Sequence, residues 1–298
     1  MKNFFIRKEI SSADEGMTVK EYAEKMGISK RMLTDIKFGG GDILINGGHV
    51  TVKYVLKLGD TLVFEFPEEQ VSESLFPEPV PLHVLYEDDH VLVINKQPYV
   101  SSIPSREHPS GSIANGILGH YKKNSVRATV HLVTRLDRDT SGVMLIAKHR
   151  FAHSILSTAQ KNGLVKRRYL AVVHGSMEKA EGTVDAPIGR KPDSIIERMV
   201  TPGGQRAVTH FQVNEKTNGL TSVTLQLETG RTHQIRVHMS HLGHPLCGDT
   251  LYGGTRQKIS RQALHSERLS FIHPLTDETM VFYAPVPQDM QQLIEESR

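Results

Sequence analysis

The sequence predicts an α+β protein, with a small α+β domain followed by a larger domain on a mixed, mainly antiparallel sheet. Length is the first observation, because 298 residues suffice for about two domains. The second is a pair of short helical patterns that precede strand patterns near the amino terminus. The third is a series of apolar strand patterns beyond residue 82, which lacks the regular strand–helix alternation of a parallel sheet.

Residues 1–68 are assigned to the small domain. Thr18 followed by Glu21 forms a capping box that begins one helix, and Ser29 can cap a second helix that the glycines at 39–41 end. Strand patterns and an Asn-Gly turn complete the domain, at residues 43–45, 46–47 and 62–66.

Three basic residues lie on the predicted exteriors of these helices, namely Lys30, Arg31 and Lys37. With the two helices and the closing strands, they resemble the alpha-L RNA-binding domain of the S-four ribosomal protein type. The resemblance implies that these three side chains contact RNA. A generic small α+β domain is the alternative interpretation, because the signals are short.

Residues 69–81 are the predicted linker, and residues 82–298 the second domain. The stretch 67–81 contains four prolines, four glutamates and no basic residue, which favours an extended, semi-stiff chain. Because so few apolar groups join the two parts, we expect the second domain to fold without the first. Its strands are predicted at 91–94, 143–146, 169–173 and 223–227, and its helices at 151–159 and 235–242.

The composition excludes several classes of protein. Hydrophobic residues make up 38% and charged residues 23% of the chain, which excludes wholesale disorder. A single cysteine excludes a disulfide framework and indicates the reducing cytoplasm. No apolar run approaches about 20 residues and the charged start does not resemble a signal peptide, so we expect no membrane partner. The phosphate-binding loop of nucleotide-driven enzymes is absent from the sequence.

The net charge of +3 hides a basic segment between His120 and Arg168. This segment has eleven Lys and Arg residues against Asp137 and Asp139, a local charge of +9 (11 − 2). A surface of this charge would attract a polyanion such as a nucleic acid. A solvated basic surface is the alternative, but the two acids inside the segment favour a site.

These acids lie in a turn before an apolar strand, with Asp137 between Arg135 and Arg138. Nearby positive charge keeps a carboxylate ionised, and an ionised aspartate can act as a nucleophile or a general base. Hydrogen bonding to turn amides is the alternative role. Arg236, one turn into a predicted helix, could pair with a carboxylate from another segment. Tyr169 ends a basic run and could stack on an unpaired base.

Together these segments resemble the RluA family of pseudouridine synthases. The family signature is Arg-Leu-Asp followed by Thr-Ser-Gly, present here at residues 135–137 and 140–142. Lys96 fits the first motif, although Gln97 is inserted where the family usually has Lys-Pro. The remaining matches are the segments 167–169, 230–238, 248–253 and 263–269. The resemblance therefore covers nearly all of residues 82–290.

The resemblance implies an enzyme that isomerises uridine to pseudouridine in RNA. Asp137 would be the catalytic carboxylate, Tyr169 would stack on the uracil, and Arg236 would keep Asp137 ionised. Arg135 would fill the gap left by the flipped-out uridine, and Ile235 would lie under the base. Further contacts to the substrate would come from Leu136, Lys96, Arg138, Thr140 and His233, and contacts to the rest of the RNA from Arg167 and Arg168.

No cofactor is expected, because an isomerisation needs neither a redox group nor a nucleotide. The RNA would be large-subunit ribosomal RNA, with transfer RNA as the alternative, and we expect a monomer in the cytoplasm. A non-catalytic ribosome-associated RNA-binding protein is the competing class. One group of side chains resembles a zinc site, at His238, His241, His244 and Cys247. A three-residue spacing turns successive ligands around a helix, so no metal is expected.

Overall fold

The computed structural model describes residues 4–69, 75–105, 108–126 and 128–296. Residues 70–74 of the predicted linker and Arg127 of the basic segment lie outside the described residues. The described residues form a four-stranded sheet near the amino terminus and a ten-stranded sheet in the rest of the chain. In these ranges, no helix is long and apolar enough to cross a membrane.

The small sheet has the strand order β1-β4-β2-β3, with antiparallel pairing throughout. Its elements are β1 (Phe5–Glu9), α1 (Val19–Lys25), α2 (Lys30–Phe38), β2 (Asp42–Ile45), β3 (Gly48–His49) and β4 (Thr61–Glu65). The predicted capping box is confirmed, since Thr18 Oγ1 accepts from the Glu21 amide and the Glu21 carboxylate accepts from the Thr18 amide. The predicted turn is also confirmed, because Asn46 and Gly47 both have positive φ, as a tight hairpin requires.

Strand β1 was not predicted from the sequence. Of its five residues only Ile6 is buried, and Arg7, Lys8 and Glu9 follow it, so no apolar alternation marks the strand. Its place is set by backbone pairing with β4, which residue patterns at the edge of a sheet do not reveal.

The second part of the chain contains most of the secondary structure. Its first elements are β5 (His83–Glu87), β6 (Val91–Lys96), α3 (Ile113–Lys123), β7 (His131–Leu132), β8 (Ser141–Ala147), α4 (Arg150–Lys161) and β9 (Lys166–His174). The later ones are β10 (Glu181–Asp185), β11 (Ile188–Arg190), β12 (Arg198–Val200), β13 (Val208–Thr217), β14 (Leu220–Leu227), α5 (Gln234–His241), a 3₁₀ helix (Thr250–Tyr252), β15 (Leu264–Ile272), β16 (Thr279–Tyr283) and α6 (Gln288–Glu295). Every strand and helix predicted here is present, but Leu242 follows α5 and is exposed rather than buried.

The ten-stranded sheet is mixed and mainly antiparallel, as predicted. Its main path is β10-β13-β14-β9-β15-β8-β6-β5, with β16 beside β15 and β7 beside β8. The pair β8–β15 is parallel, and there Gly142 is opposite Ser266, which is in turn opposite Tyr169 of β9. Gly142 has φ +115°, and a Cβ on it would lie 2.2 Å from the Ser266 carbonyl oxygen, so only glycine fits. This row joins the turn before β8 to Tyr169.

The carboxyl half of the predicted linker is extended but packs along α3. The Asn115 side chain donates to the Phe76 carbonyl at 2.9 Å, and the Glu78 amide donates to the Asn115 carbonyl at 3.1 Å. Gly119 makes room for this strap, because a Cβ there would lie 2.3 Å from the Glu78 carbonyl oxygen. The segment is therefore fixed on the larger part of the protein.

The two parts of the chain share a hydrophobic cluster, which the sequence did not predict. Phe151 of α4 is buried in the core of the amino-terminal part, and Ile155 packs against that core. Phe4 stacks on His149 with ring centroids 3.7 Å apart, and Arg150 pairs with Asp35 at 2.6 Å. Helix α4 therefore packs against the cores of both parts. This shared packing does not support the prediction that the larger part folds without the smaller one.

A pair of histidines, the buried His149 and the partly buried His90, lies at this junction. His149 Nδ1 accepts from the Ala152 amide at 3.2 Å and so caps α4. Its proton is then on Nε2, which donates to His90 Nδ1 at 3.1 Å. Burial lowers the pKa of His149 from 6.5 to about 3, so the ring is neutral at physiological pH.

Phe151→Ala is expected to lower the free energy of unfolding by about 3–5 kcal/mol, because it removes a buried ring shared by both parts. Chemical denaturation monitored by circular dichroism measures this loss. Phe38→Ala is the matched control: Phe38 is 77% exposed and its removal should change stability by less than about 0.5 kcal/mol. Equal effects of the two substitutions would contradict the shared core.

Stability is expected to fall as pH decreases below 6.5. Between 6.5 and about 3 the unfolded chain holds a proton on His149 that the folded chain does not, so acid favours unfolding by about 1 kcal/mol per pH unit. Denaturation at a series of pH values measures the slope. His149→Asn keeps a capping side chain and should reduce the slope by the share of His149, about 1 kcal/mol per pH unit, while other buried histidines such as His233 keep theirs. A wild-type slope in His149→Asn would refute the assignment.

Candidate active site

The turn from Arg135 to Thr140 is held from beneath by a buried ammonium group. Lys96 is fully buried and donates to the carbonyls of Gln97, Arg138 and Thr140 at 2.8–2.9 Å. Burial lowers its pKa to about 7 despite the attraction of Asp137. Because these carbonyls are its hydrogen-bond partners and it has no exposed surface, the predicted substrate contact for Lys96 is replaced by a positioning role.

A second contact fixes the same turn from the side. Ser102 Oγ accepts from the Leu136 amide at 3.1 Å and donates to the Leu136 carbonyl. The Leu136 side chain packs into the core, and Thr140 is buried as well. Asp137 between them is 29% exposed at its side chain, so its carboxylate reaches the cavity from a rigid backbone.

Arg236 of α5 lies between two carboxylates. Its Nη1 donates to Asp137 Oδ2 at 3.2 Å, the pairing expected from the sequence. Its Nε and Nη2 donate to the two oxygens of Asp249 at 2.7 and 2.8 Å. Burial would lower the pKa of Arg236, but Asp249 and Asp137 outweigh it and hold that pKa above its usual value. The guanidinium is thus permanently charged, and Asp249 fixes its plane.

Asp249 was missed as a site residue. It is almost completely buried and follows Arg236 by thirteen positions, beyond α5 and just before the 3₁₀ helix. The segment 248–253 was noted only as a family match, without a role for its aspartate. The available signal was its carboxyl group, because Asp249 lies in a short segment between Gly248 and Gly253.

The Tyr252 ring completes the wall beside Arg236. The guanidinium carbon lies 4.9 Å from the ring centroid, within cation–π distance. The Tyr252 hydroxyl bonds His233 Nδ1 at 2.8 Å, and His233 Nε2 is 3.9 Å from Asp137 Oδ2. Burial lowers the pKa of His233, and its left-handed backbone (φ +57°) turns it into this wall. His233 therefore lies in the lining of the site, at a position from which the predicted contact with the substrate can be made.

An apolar floor lies beside Asp137. Tyr169 and Ile235 are both buried and belong to one hydrophobic cluster with Leu136 and Leu264. All four line a small cavity that also contains Asp137 and Arg236. The structure thus brings the predicted aromatic ring, aliphatic floor, carboxylate and guanidinium together.

The small cavity adjoins a larger, basic one of about 870 Å³. Binding pockets typically have volumes of about 300–1,000 Å³. Asp137 and Glu228 are the carboxylates of its lining among the described residues. Its cations are Arg135, Arg138, Lys161, Arg167 and Arg231. The cavity suits an anionic ligand larger than a single base.

The remaining predicted residues lie elsewhere. Lys30, Arg31 and Lys37 are exposed on or beside α2, away from both cavities. Arg168 pairs with Glu267 at 2.6 Å and does not line either cavity.

The zinc-like group is also placed by the structure. Both ring nitrogens of His238 are within hydrogen-bond distance of Thr209 Oγ1 and the Ala186 carbonyl. Burial raises the pKa of the Cys247 thiol to about 12. No cluster of three or more His, Cys, Asp or Glu side chains suited to a metal occurs in the described ranges.

Comparison with known proteins gives the family. The sequence pattern of RNA pseudouridylate synthases matches residues 90–241. The uncharacterized RNA pseudouridine synthase YjbO of Bacillus subtilis strain 168 is 80% identical over 278 residues, which cover 93% of this chain and 98% of YjbO. The chain belongs to the RluA family of RNA pseudouridine synthases. It is therefore an isomerase that acts on RNA.

More distant members of the family agree with the fold. Ribosomal large subunit pseudouridine synthase D of Xanthomonas campestris is 39% identical over 268 residues, which cover 85% of this chain and 80% of that protein. The structure of human RNA pseudouridylate synthase domain containing 1 superposes with a TM-score of 0.58 at 23% identity, covering 74% of this chain and 95% of that one. The ten-stranded sheet is thus the pseudouridine synthase fold.

Asp249→Asn is expected to slow pseudouridine formation by about 10–100-fold, because Arg236 loses the bidentate partner that aligns it with Asp137. Single-turnover assays with saturating RNA measure the rate, and melting curves check the fold. Asp35→Asn removes the partner of the half-exposed Arg150, outside both cavities, and should change the rate less than about threefold. Equal rates for Asp249→Asn and wild type would exclude the positioning role.

Proposed function

We propose that this synthase isomerises uridine in large-subunit ribosomal RNA, with Asp137 as its catalytic carboxylate. The observation that carries the proposal is the position of Asp137. It is 3.2 Å from a buried guanidinium, between an apolar floor and a basic cavity. Relatives named ribosomal large subunit pseudouridine synthase D support the choice of RNA.

The reaction exchanges one bond for another without redox change. The bond between N1 of uracil and C1′ of ribose breaks, and a bond between C5 and C1′ forms. A proton leaves C5 and one is gained at N1, so atoms and electrons balance. Asp137 acts either by attacking the ribose or base, or by removing a ribose proton, and both routes need the ionised carboxylate.

The other predicted residues have places in this scheme. The target uridine leaves the RNA stack, as enzymes acting on a base require. Tyr169 and Ile235 contact the uracil from the apolar floor, and Arg135 at the cavity mouth takes the place of the base in the stack. Arg138 and His233 contact the ribose and its neighbours, while Leu136 and Thr140 shape the wall.

The amino-terminal part adds affinity for structured RNA. Lys30, Arg31 and Lys37 form an exposed basic surface on or beside α2, and α2 is joined to the catalytic part through the Asp35–Arg150 pair. A second contact surface raises overall affinity because its binding becomes intramolecular. We place the monomeric enzyme in the cytoplasm, where ribosomal RNA is available.

Incubation with large-subunit ribosomal RNA, small-subunit ribosomal RNA and transfer RNA transcripts, followed by pseudouridine mapping, tests the proposal. Wild-type protein should modify the large-subunit transcript, and Asp137→Asn should lower the rate at least about 10³-fold while RNA affinity persists. Asp139→Asn is the matched control, since its carboxylate pairs with exposed Arg138, and it should retain activity. Modification confined to transfer RNA would overturn the assigned RNA, and an active Asp137→Asn would overturn the assigned carboxylate.

A further inference from the structure

Arg167 carries a buried guanidinium that has no carboxylate partner among the described residues. The residue is only 9% exposed, yet no described Asp or Glu lies within ion-pair distance of it. Its Nε atom has no hydrogen-bond partner, and its Nη2 donates only a long bond of 3.4 Å to the Thr229 carbonyl. A buried cation left in this state is costly unless an anion joins it.

Other buried arginines of the described chain show the contrast. Arg236 has a bidentate carboxylate partner in Asp249, and Arg261 has one in Asp289. Both pairs have two bonds of 2.7–2.8 Å. Arg167 is thus built like these groups but has an open anion position.

The open position faces the active site. Arg167 lines both the small cavity and the large one, whereas its neighbour Arg168 lines neither and pairs with Glu267. Gly230 lies against the guanidinium, and a Cβ there would be 3.0 Å from Nη1. The absence of a side chain at residue 230 leaves the charged group accessible from the cavity.

Strand geometry relates this group to the bound base. Side chains two apart on a strand point to the same face, so Arg167 and Tyr169 lie side by side on β9. Their separation along the strand is about 7 Å, which a nucleotide can span between its base and a phosphate. The anion expected beside a uracil on Tyr169 is therefore the phosphodiester of the same nucleotide.

We propose that Arg167 is a phosphate-binding residue that holds a phosphodiester next to the flipped uridine. This inference rests on the proposed function, since it takes the uracil to lie on Tyr169. Guanidinium groups suit phosphate because their parallel N–H groups match two phosphate oxygens. The subsite fixes the nucleotide at a backbone position independent of the sequence around it.

The test is a binding cycle with neutral linkages. Short RNAs containing a modifiable uridine carry a methylphosphonate on its 5′ or its 3′ side, with a 2′-deoxy sugar before the linkage in modified and unmodified RNA alike. Affinities are measured for wild type, Arg167→Met, Arg167→Lys and the control Arg168→Met. Melting curves establish that each variant is folded, and the neutral-linkage measurement on wild-type protein needs no variant.

For one of the two linkages, the neutral group should weaken wild-type binding at least tenfold. Arg167→Met should weaken binding of unmodified RNA by a similar factor and should then show less than a twofold effect of the neutral linkage. The affinity of Arg167→Lys for unmodified RNA should lie between those of the wild type and Arg167→Met. Arg168→Met should show the same effect of the neutral linkage as the wild type. Two outcomes would overturn the subsite. One is that neither neutral linkage weakens RNA binding to the wild-type protein. The other is that both linkages weaken binding to Arg167→Met by the same factors as in the wild type.

Failure of the proposed function has a different signature. If large-subunit ribosomal RNA is not the substrate, that transcript gains no pseudouridine, while the affinity cycle can still be completed on any RNA that the protein modifies. If the phosphate subsite is wrong, modification proceeds on the mapped uridine and the linkage effect is the same with and without the Arg167 guanidinium.

Discussion

The active site depends on one buried guanidinium that is shared by two carboxylates. Arg236 is bound at two atoms by Asp249 and at a third by Asp137. A single hydrogen bond to a carboxylate would leave the plane of a buried guanidinium free to rotate. The two bonds from Arg236 to Asp249 fix that plane. Asp137 therefore meets a cation of fixed position. Its own backbone is fixed from beneath by Lys96, whose ammonium joins three carbonyl groups around the turn.

The buried cations that support Asp137 are distinct from the exposed cations that can bind RNA. Arg236 and Lys96, which lie deep in the protein beside Asp137, have defined carboxylate or carbonyl partners. Those at the cavity mouth, such as Arg135, are exposed and available to a polyanion. Salt would weaken the contacts of the exposed group far more than those of the buried one. The protein can thus bind RNA through exposed charges without a change in the environment of the Asp137 carboxylate.

Local signals in the sequence predicted much of the fold, because capping boxes, Asn-Gly turns and apolar runs act over a few residues. The turn around Asp137 was predicted from its charges and its position before an apolar strand, and the pairing of Asp137 with Arg236 was implied by the family resemblance. Asp249 was missed because it lies beyond the end of the helix that carries its partner Arg236. Lys96 was misassigned because a lysine is normally exposed, and only tertiary packing shows that it is buried. In the sequence, Phe151 fits the apolar face of a helix, and only the folded structure shows that it packs in the amino-terminal core.

The position of β15 has a consequence for synthesis of the enzyme. This strand lies between β8 and β9, and it pairs with both at the row that contains Gly142, Ser266 and Tyr169. The two strands that carry the turn around Asp137 and the aromatic ring are therefore separated by a partner that is synthesised 89 residues (175–263) after β9 ends. Chain growth proceeds at about 5–20 residues per second, so β8 and β9 await β15 for several seconds. In a nascent chain, the turn around Asp137 and the ring of Tyr169 can therefore take their final relative positions only after β15 has been synthesised.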